Sequence, residues 1–167
     1  MTIGYSHGWQ ECRLCFSGKS SIALPKDWNL HNNPGYAGSS APSTLILGFS
    51  KGANQNEIAK QGNYDRVPFA GMRDRLQLML DALDLMPTDR SIDQMLTANE
   101  NEFGAGSLIR CSLCKKKGDN WVTSGALVTD GFRIPEINAI IERCAATFLS
   151  KPPESLQRVI LLGTNKI

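Results

Sequence analysis

Apolar and polar positions alternate with two different periods along this chain, and the change of period marks out the expected elements. Ser43-Thr44-Leu45-Ile46-Leu47-Gly48-Phe49 is a short apolar run between turn formers, which predicts a buried parallel strand. After Gly71 the period lengthens. Leu76, Met79, Leu80 and Leu83 fall on one helical face, with Arg73, Asp74, Arg75 and Gln77 between them, and Pro87 ends the pattern. A second helix is predicted over 91–98 with Ser91 as its N-cap. Ser107–Cys111 reads as another strand. A helix over 134–149 follows, with Pro135 in its first turn and Ile137, Ile140, Ile141, Cys144, Ala145 and Phe148 on one side. Lys151-Pro152-Pro153 breaks that helix before a last strand at 158–163. Residues 1–20 read as irregular, 25–43 as a loop dense in Pro, Gly, Asn and Ser, and 115–133 carry no clear pattern.

Strands that alternate with helices predict an α/β fold, a three-layer αβα sandwich around a central parallel sheet. At 167 residues the chain is expected to form one domain, 1–167, with a core that needs no staples. It stops just after a strand where an α/β unit continues into a helix, so the fold is expected to be incomplete at the C-terminus. Hydrophobic content of 41% and charged content of 20% suit a globular protein. The longest apolar run, Val159–Leu162, is far too short to cross a bilayer, and Met1–Gln10 lacks the apolar core of a signal peptide. A monomer in the cytoplasm, with no membrane partner, is expected. The net charge of +2 leaves a nucleic-acid partner open, because phosphate binding depends on a local basic patch.

The five cysteines carry the clearest chemical signal. Cys12-Arg13-Leu14-Cys15 and Cys111-Ser112-Leu113-Cys114 are two CxxC pairs, and Cys144 stands alone. In a reducing compartment such pairs point to a metal rather than to disulfides. A redox motif of the thioredoxin type is disfavoured, because no strand precedes Cys12. Cys12, Cys15, Cys111 and Cys114 would make a tetrahedral zinc site of paired knuckles. Cys12, Cys15, Cys111 and Cys144 would suit a four-iron, four-sulfur (4Fe–4S) cluster. Cys144 by itself also fits a buried core position.

In their order along the chain, several of these segments resemble the iron–sulfur (family 4) uracil-DNA glycosylases of the uracil-DNA glycosylase superfamily. The matching segments are Cys12–Cys15, Leu45–Gly52, Pro68-Phe69-Ala70-Gly71 before a long helix, Leu108–Cys111, Cys144 on a helix, and Leu161-Leu162-Gly163. The resemblance spans about residues 10–165. It implies the ligand set Cys12, Cys15, Cys111 and Cys144, with Cys114 spare. It also implies DNA as partner and hydrolysis of the N-glycosidic bond of uracil or a similar deaminated base, in DNA repair.

Such chemistry needs a pocket for a base removed from the stack. Phe69 would stack on the base, and the Gly48–Gly52 loop, with Phe49 and the backbone around Gly48 and Gly52, would approach it closely. Where the family carries an acidic or amide residue after its first glycine, this chain has Phe49 and Ser50, so Ser50 or the nearby amides, Asn54 first, would position the water. Ser107 stands where the family reads the base edge with an Asn. The family's catalytic His motif would fall beyond Ile167, and the only histidines are His7 and His31. Loss of such a donor typically costs about 2–4 kcal/mol of transition-state stabilisation, so activity is expected to be weak. Arg66, Arg73, Lys115, Lys116 and Lys117 are the candidates for holding the DNA backbone, although a lysine run is more often a solvated loop. The alternative function is a metal-stapled nucleic-acid-binding module without catalysis.

Overall fold

The computed structural model describes residues 4–123 and 129–163. Eight strands join one sheet: β1 (Gly8–Trp9), β2 (Ser21–Leu24), β3 (Trp28–His31), β4 (Gly35–Gly38), β5 (Thr44–Lys51), β6 (Phe103–Lys117), β7 (Asn120–Val122) and β8 (Arg158–Leu161). Among the described residues the helices are α1 (Ala53–Ala59), α2 (Arg73–Asp81), α3 (Ile92–Met95) and α4 (Pro135–Phe148), with a 3-10 turn at Tyr64–Arg66.

The 15-residue strand β6 organises the sheet. Ala105 pairs with both Ala37 and Ile46, and Ser112 with both His31 and Lys51, so β4 and β3 lie on one edge of β6 and β5 on the other. Lys115 pairs with Trp28 and Val122, which puts β7 on the β5 side. Only β5–β6 and β5–β8 are parallel; β1–β4, β2–β3, β3–β6, β4–β6 and β6–β7 are antiparallel.

The architecture is therefore a curled, mainly antiparallel sheet, a half-barrel with few helices, and not the expected three-layer αβα sandwich with a central parallel sheet. The difference arises in the first forty residues. The segment that reads as a loop contains β3 and β4. In β3, Trp28 and Leu30 are buried while Asn29 and His31 are half-exposed, a period of two hidden by the turn residues around it. In β4 the run Gly35-Tyr36-Ala37-Gly38 is buried throughout. Gly38 has φ of +85°, and a Cβ there would collide with the Phe103 carbonyl, so only glycine brings this strand against β6.

The predicted helices exist but are shorter. The stripe after Gly71 ends at Asp81, and Leu83 lies beyond it with 60% of its surface exposed. The helix predicted over 91–98 is the single turn Ile92–Met95, which Ser91 caps, its N–H donating to Gln94 Oε1 at 2.8 Å. α4 matches its predicted span to one residue at each end.

Three apolar clusters fill the fold. Val67, Phe69, Leu76, Leu80, Ile92 and Met95 pack with Ile46 and Ala105 of the sheet. Ile137, Ile140, Cys144 and Phe148 of α4 pack on Trp28, Leu30, Ile109, Cys111 and Leu113. Tyr5, Tyr36, Leu45 and Leu47 form a third cluster. Between Ser50 and Lys51 the register shifts: β5 advances one residue while β6 advances three, from Ile109 to Ser112. This bulge lies in the part of β6, Ile109 to Leu113, that packs in the second cluster. No helix among the described residues is long and apolar enough to cross a membrane.

Candidate functional site

The end of β5, the loop after it, the Pro68–Met72 turn and the middle of β6 enclose a pocket of about 530 Å³. Gly48, Phe49, Ser50, Gly52, Asn54, Phe69 and Ser107, the residues that the sequence singles out for base binding and catalysis, all line it. Parallel pairing of β5 and β6 brings the two groups together, since Gly48 lies opposite Ser107. Phe69 is buried and holds φ of +54°, an uncommon conformation for a bulky side chain. Its ring lies over Gly48, where a Cβ would sit 3.6 Å from the ring edge. Phe49 packs at 5.0 Å between ring centroids on the exposed Phe132.

The polar residues of the pocket differ in what they have free. Ser107 is buried and its hydroxyl donates to the Ile109 carbonyl at 2.7 Å, so that proton is committed and Ser107 can offer an incoming base only an acceptor. Asn56 is buried and accepts from Asn33 Nδ2 at 3.0 Å, a structural role. Asn54 is exposed and Gln55 half-exposed, and both face the cavity. Ser50 has only a 3.4 Å contact to the carbonyl of the next residue.

Neither histidine reaches this pocket. His7 accepts from the Gly38 N–H at 3.1 Å through Nδ1, and its Nε2 lies 2.8 Å from Asp65 Oδ1. His31 stands edge-on to Trp121 at 5.7 Å between ring centroids.

Of the cations named for DNA contact, Arg73 is taken up by the fold. It donates to the carbonyls of Pro68 and Asp65 and pairs with Asp93 Oδ1 at 2.6 Å, bracing the turn that presents Phe69. Arg66, Lys116 and Lys117 are exposed, and Lys115 is half-buried with its Nζ 5.9 Å from the Trp28 ring centre. The sequence reading missed Arg75, Tyr64 and Trp121, which also line the pocket. Arg75 was visible only as a polar position between the apolar residues of α2, and Trp121 lay in the stretch without a pattern.

The sulfurs gather on the α4 side of the sheet. Cys111 and Cys144 are buried members of one apolar cluster, and Cys12 and Cys15 pack against it half-exposed. Cys114 is buried elsewhere. Because β6 continues through this CxxC as a strand, residues three apart face opposite sides, so Cys111 and Cys114 cannot act as one knuckle. Cys15 receives an N–H from Arg143 Nη1 at 3.2 Å, and the Asn33 and Arg110 backbones favour the Cys111 and Cys144 thiolates respectively. Burial pushes the Cys111 thiol up to about 12, with the neighbouring Cys144 and Cys12 adding to the rise against Lys51 and the Asn33 N–H. Burial raises Cys144 as well, with Cys15 and Cys12 adding to it.

Among the described residues no three His, Cys, Asp or Glu side chains stand together as a site for a single metal ion. An iron–sulfur cluster asks for something else: soft thiolates, each on its own iron and so more widely spaced, with N–H donors on the sulfurs. Cys12, Cys15, Cys111 and Cys144 fit that requirement in donor type, as four free thiols in or against one cluster, and Cys15 has an N–H donor. Comparison with known proteins adds no constraint: no family model matches the chain, and no curated protein or solved structure matches it.

Proposed function

We propose that this protein binds DNA with a flipped base in the β5–β6 pocket and hydrolyses the N-glycosidic bond of a deaminated base such as uracil, with a 4Fe–4S cluster on Cys12, Cys15, Cys111 and Cys144. The observation that carries this reading is the convergence of the end of β5, Gly52 and the start of α1 with Phe69 and Ser107 on one cavity large enough for a base. The cluster, when bound, would serve as a staple tying the Cys12–Cys15 turn to β6 and α4.

The rest follows from the chain's own residues. Phe69, held over Gly48, offers a stacking face. Asn54, or Ser50, orients a water whose oxygen forms the new bond to the sugar C1′ as the C1′–N bond breaks. The departing base leaves with that electron pair and takes up a proton. Backbone N–H groups at the β5–α1 junction offer the developing anion hydrogen bonds, the contribution that a family histidine would otherwise dominate. Arg75, exposed at the pocket and without an ion pair among the described residues, suits a flanking phosphate.

Two observations favour the second reading, a binding module without catalysis: the pocket has no histidine, and the Ser107 hydroxyl already donates its hydrogen bond to the Ile109 carbonyl. A single assay separates the two. Oligonucleotides carrying uracil, hypoxanthine or xanthine, single-stranded and in mismatched duplexes, are incubated with the full chain, and strand scission at abasic sites is followed. Base release that falls at least tenfold in Asn54→Ala or Phe69→Ala supports the enzyme. Tight binding of damaged DNA with no release supports the module. Equal, weak affinity for damaged and undamaged DNA with no release rejects both.

A further inference from the structure

Two cations lie deep in this fold with no acid beside them. Arg110 has no exposed surface, and among the described residues none of its three guanidinium nitrogens has a hydrogen-bond partner. It lies between two aromatic faces, 5.2 Å from the Tyr36 ring centre and 5.4 Å from that of Phe148. Gly106 leaves the room for it, because a Cβ there would collide with Arg110 Nη1. Lys51 is also buried, and its Nζ donates to the Arg110 carbonyl. Among the described residues neither enters an ion pair, and no carboxylate contributes to the electrostatic surroundings of either.

A buried charge without a counter-ion is among the most costly features that a fold can carry. Such a pair calls for an anion, and both cations act on Cys144. The Arg110 guanidinium charge favours the Cys144 thiolate, although its side chain leaves β6 on the face opposite Cys111. Phe148, under the guanidinium, follows Cys144 by one helical turn. Cys111 and Cys144 are the groups whose negative charge favours the charged form of Lys51.

We propose that Lys51 and Arg110 are the buried counter-cations of an anionic metal–thiolate centre on Cys12, Cys15, Cys111 and Cys144, and that they favour its reduced state. The inference rests on the reading of these four cysteines as cluster ligands. Four thiolates around a doubly positive cluster core leave a net dianion, which two cations balance. One-electron reduction makes it a trianion, and nearby positive charge stabilises the trianion more than the dianion.

The test uses the full chain purified without oxygen. Iron and acid-labile sulfide are measured first, in the native protein and in Cys144→Ser. Iron and sulfide that disappear in Cys144→Ser support the ligand set, whereas their absence from the native protein, or their retention in Cys144→Ser, overturns both the ligand reading and the proposal. The loaded protein is then titrated with dithionite as the one-electron reductant and followed by electron paramagnetic resonance. Arg110→Met and Lys51→Met are each expected to lower the reduction equilibrium constant about tenfold, a shift of about 59 mV to more negative potential for one electron. Arg110→Lys keeps the charge and is expected to keep the potential. Native iron content with unmoved potentials in both methionine variants overturns the counter-cation role and leaves the ligand set standing. Should Arg110→Met fail to load iron, loading by Arg110→Lys supports the role of charge, and failure of both overturns it for Arg110.

Discussion

Asn33 ties three separate segments of the chain together through one side-chain amide. Its Nδ2 donates to Asn56 Oδ1 at 3.0 Å and to Ser112 Oγ at 2.9 Å, while its Oδ1 accepts from the Ser112 N–H at 2.8 Å. Its backbone N–H donates to the His31 carbonyl at 2.9 Å. One amide thus links the chain before β4, the start of α1 and the centre of β6. Asn33→Ala would leave buried Asn56 and Ser112 short of partners. The expected loss is about 1–3 kcal/mol, seen as a lower denaturant midpoint with unchanged slope. Nothing in the sequence distinguishes Asn33 from Asn29 or Asn32, because the value of an amide depends on what the fold brings to it.

Among the elements, α4 was the most legible, and the reason is its stripe. Ile137, Ile140, Cys144 and Phe148 recur at helical spacing and all are buried. The stripe after Gly71 looked equally clear but ran past the end of its helix. Leu76 and Leu80 are buried, whereas Leu83 is exposed beyond a C-terminal turn that Asp84 enters with positive φ. The two cases separate in a stability experiment. Ile137→Ala should cost about 2–5 kcal/mol, because it empties a site with no exposed surface. Leu83→Ala should stay within about 0.5 kcal/mol. Equal costs would mean that the turn after Asp81 continues as helix in solution. The strands β1 to β4 were missed for the opposite reason. Each is only two to four residues long, too short for alternation to show against Gly, Pro and Asn.

At the scale of the whole molecule, burial of titratable groups limits the pH range of the fold from both sides. His31 is pulled below its ordinary 6.5, first by burial and then by Lys60. Its neutral form is the folded one, so this contribution is present above pH 6.5 and is lost as pH falls through the lower folded value. Tyr5, Tyr36 and Tyr64 are raised above 10.0, first by burial, with Arg110 opposing. Their contribution is present below pH 10.0 and is lost as pH rises beyond it, since unfolded tyrosines ionise first. Stability should therefore be highest between these limits. On the alkaline side tyrosinate absorbance should rise together with loss of tertiary circular dichroism. Tyrosinate that appears gradually, ahead of unfolding, would show that these rings are open to solvent.

The sequence by itself determined the local features. It held the period of α4, the buried run of β5, the cap at Ser91, and the types of residue that gather in the pocket and around the sulfurs. These depend on spacing within a dozen residues, which backbone geometry converts directly into faces. Tertiary structure decided the rest. The antiparallel edge of the sheet exists because β6 offers long unpaired hydrogen-bonding edges to short segments that have no strand signal of their own. The separation of Cys114 from Cys111 follows because β6 runs on through the motif and turns alternate side chains to opposite faces. The isolation of Arg110 follows from the approach of Gly106, Tyr36 and Phe148, three residues from different parts of the chain. Long-range pairing selects among partners that local periodicity cannot see, and here it turned the expected layered sandwich into a curled sheet.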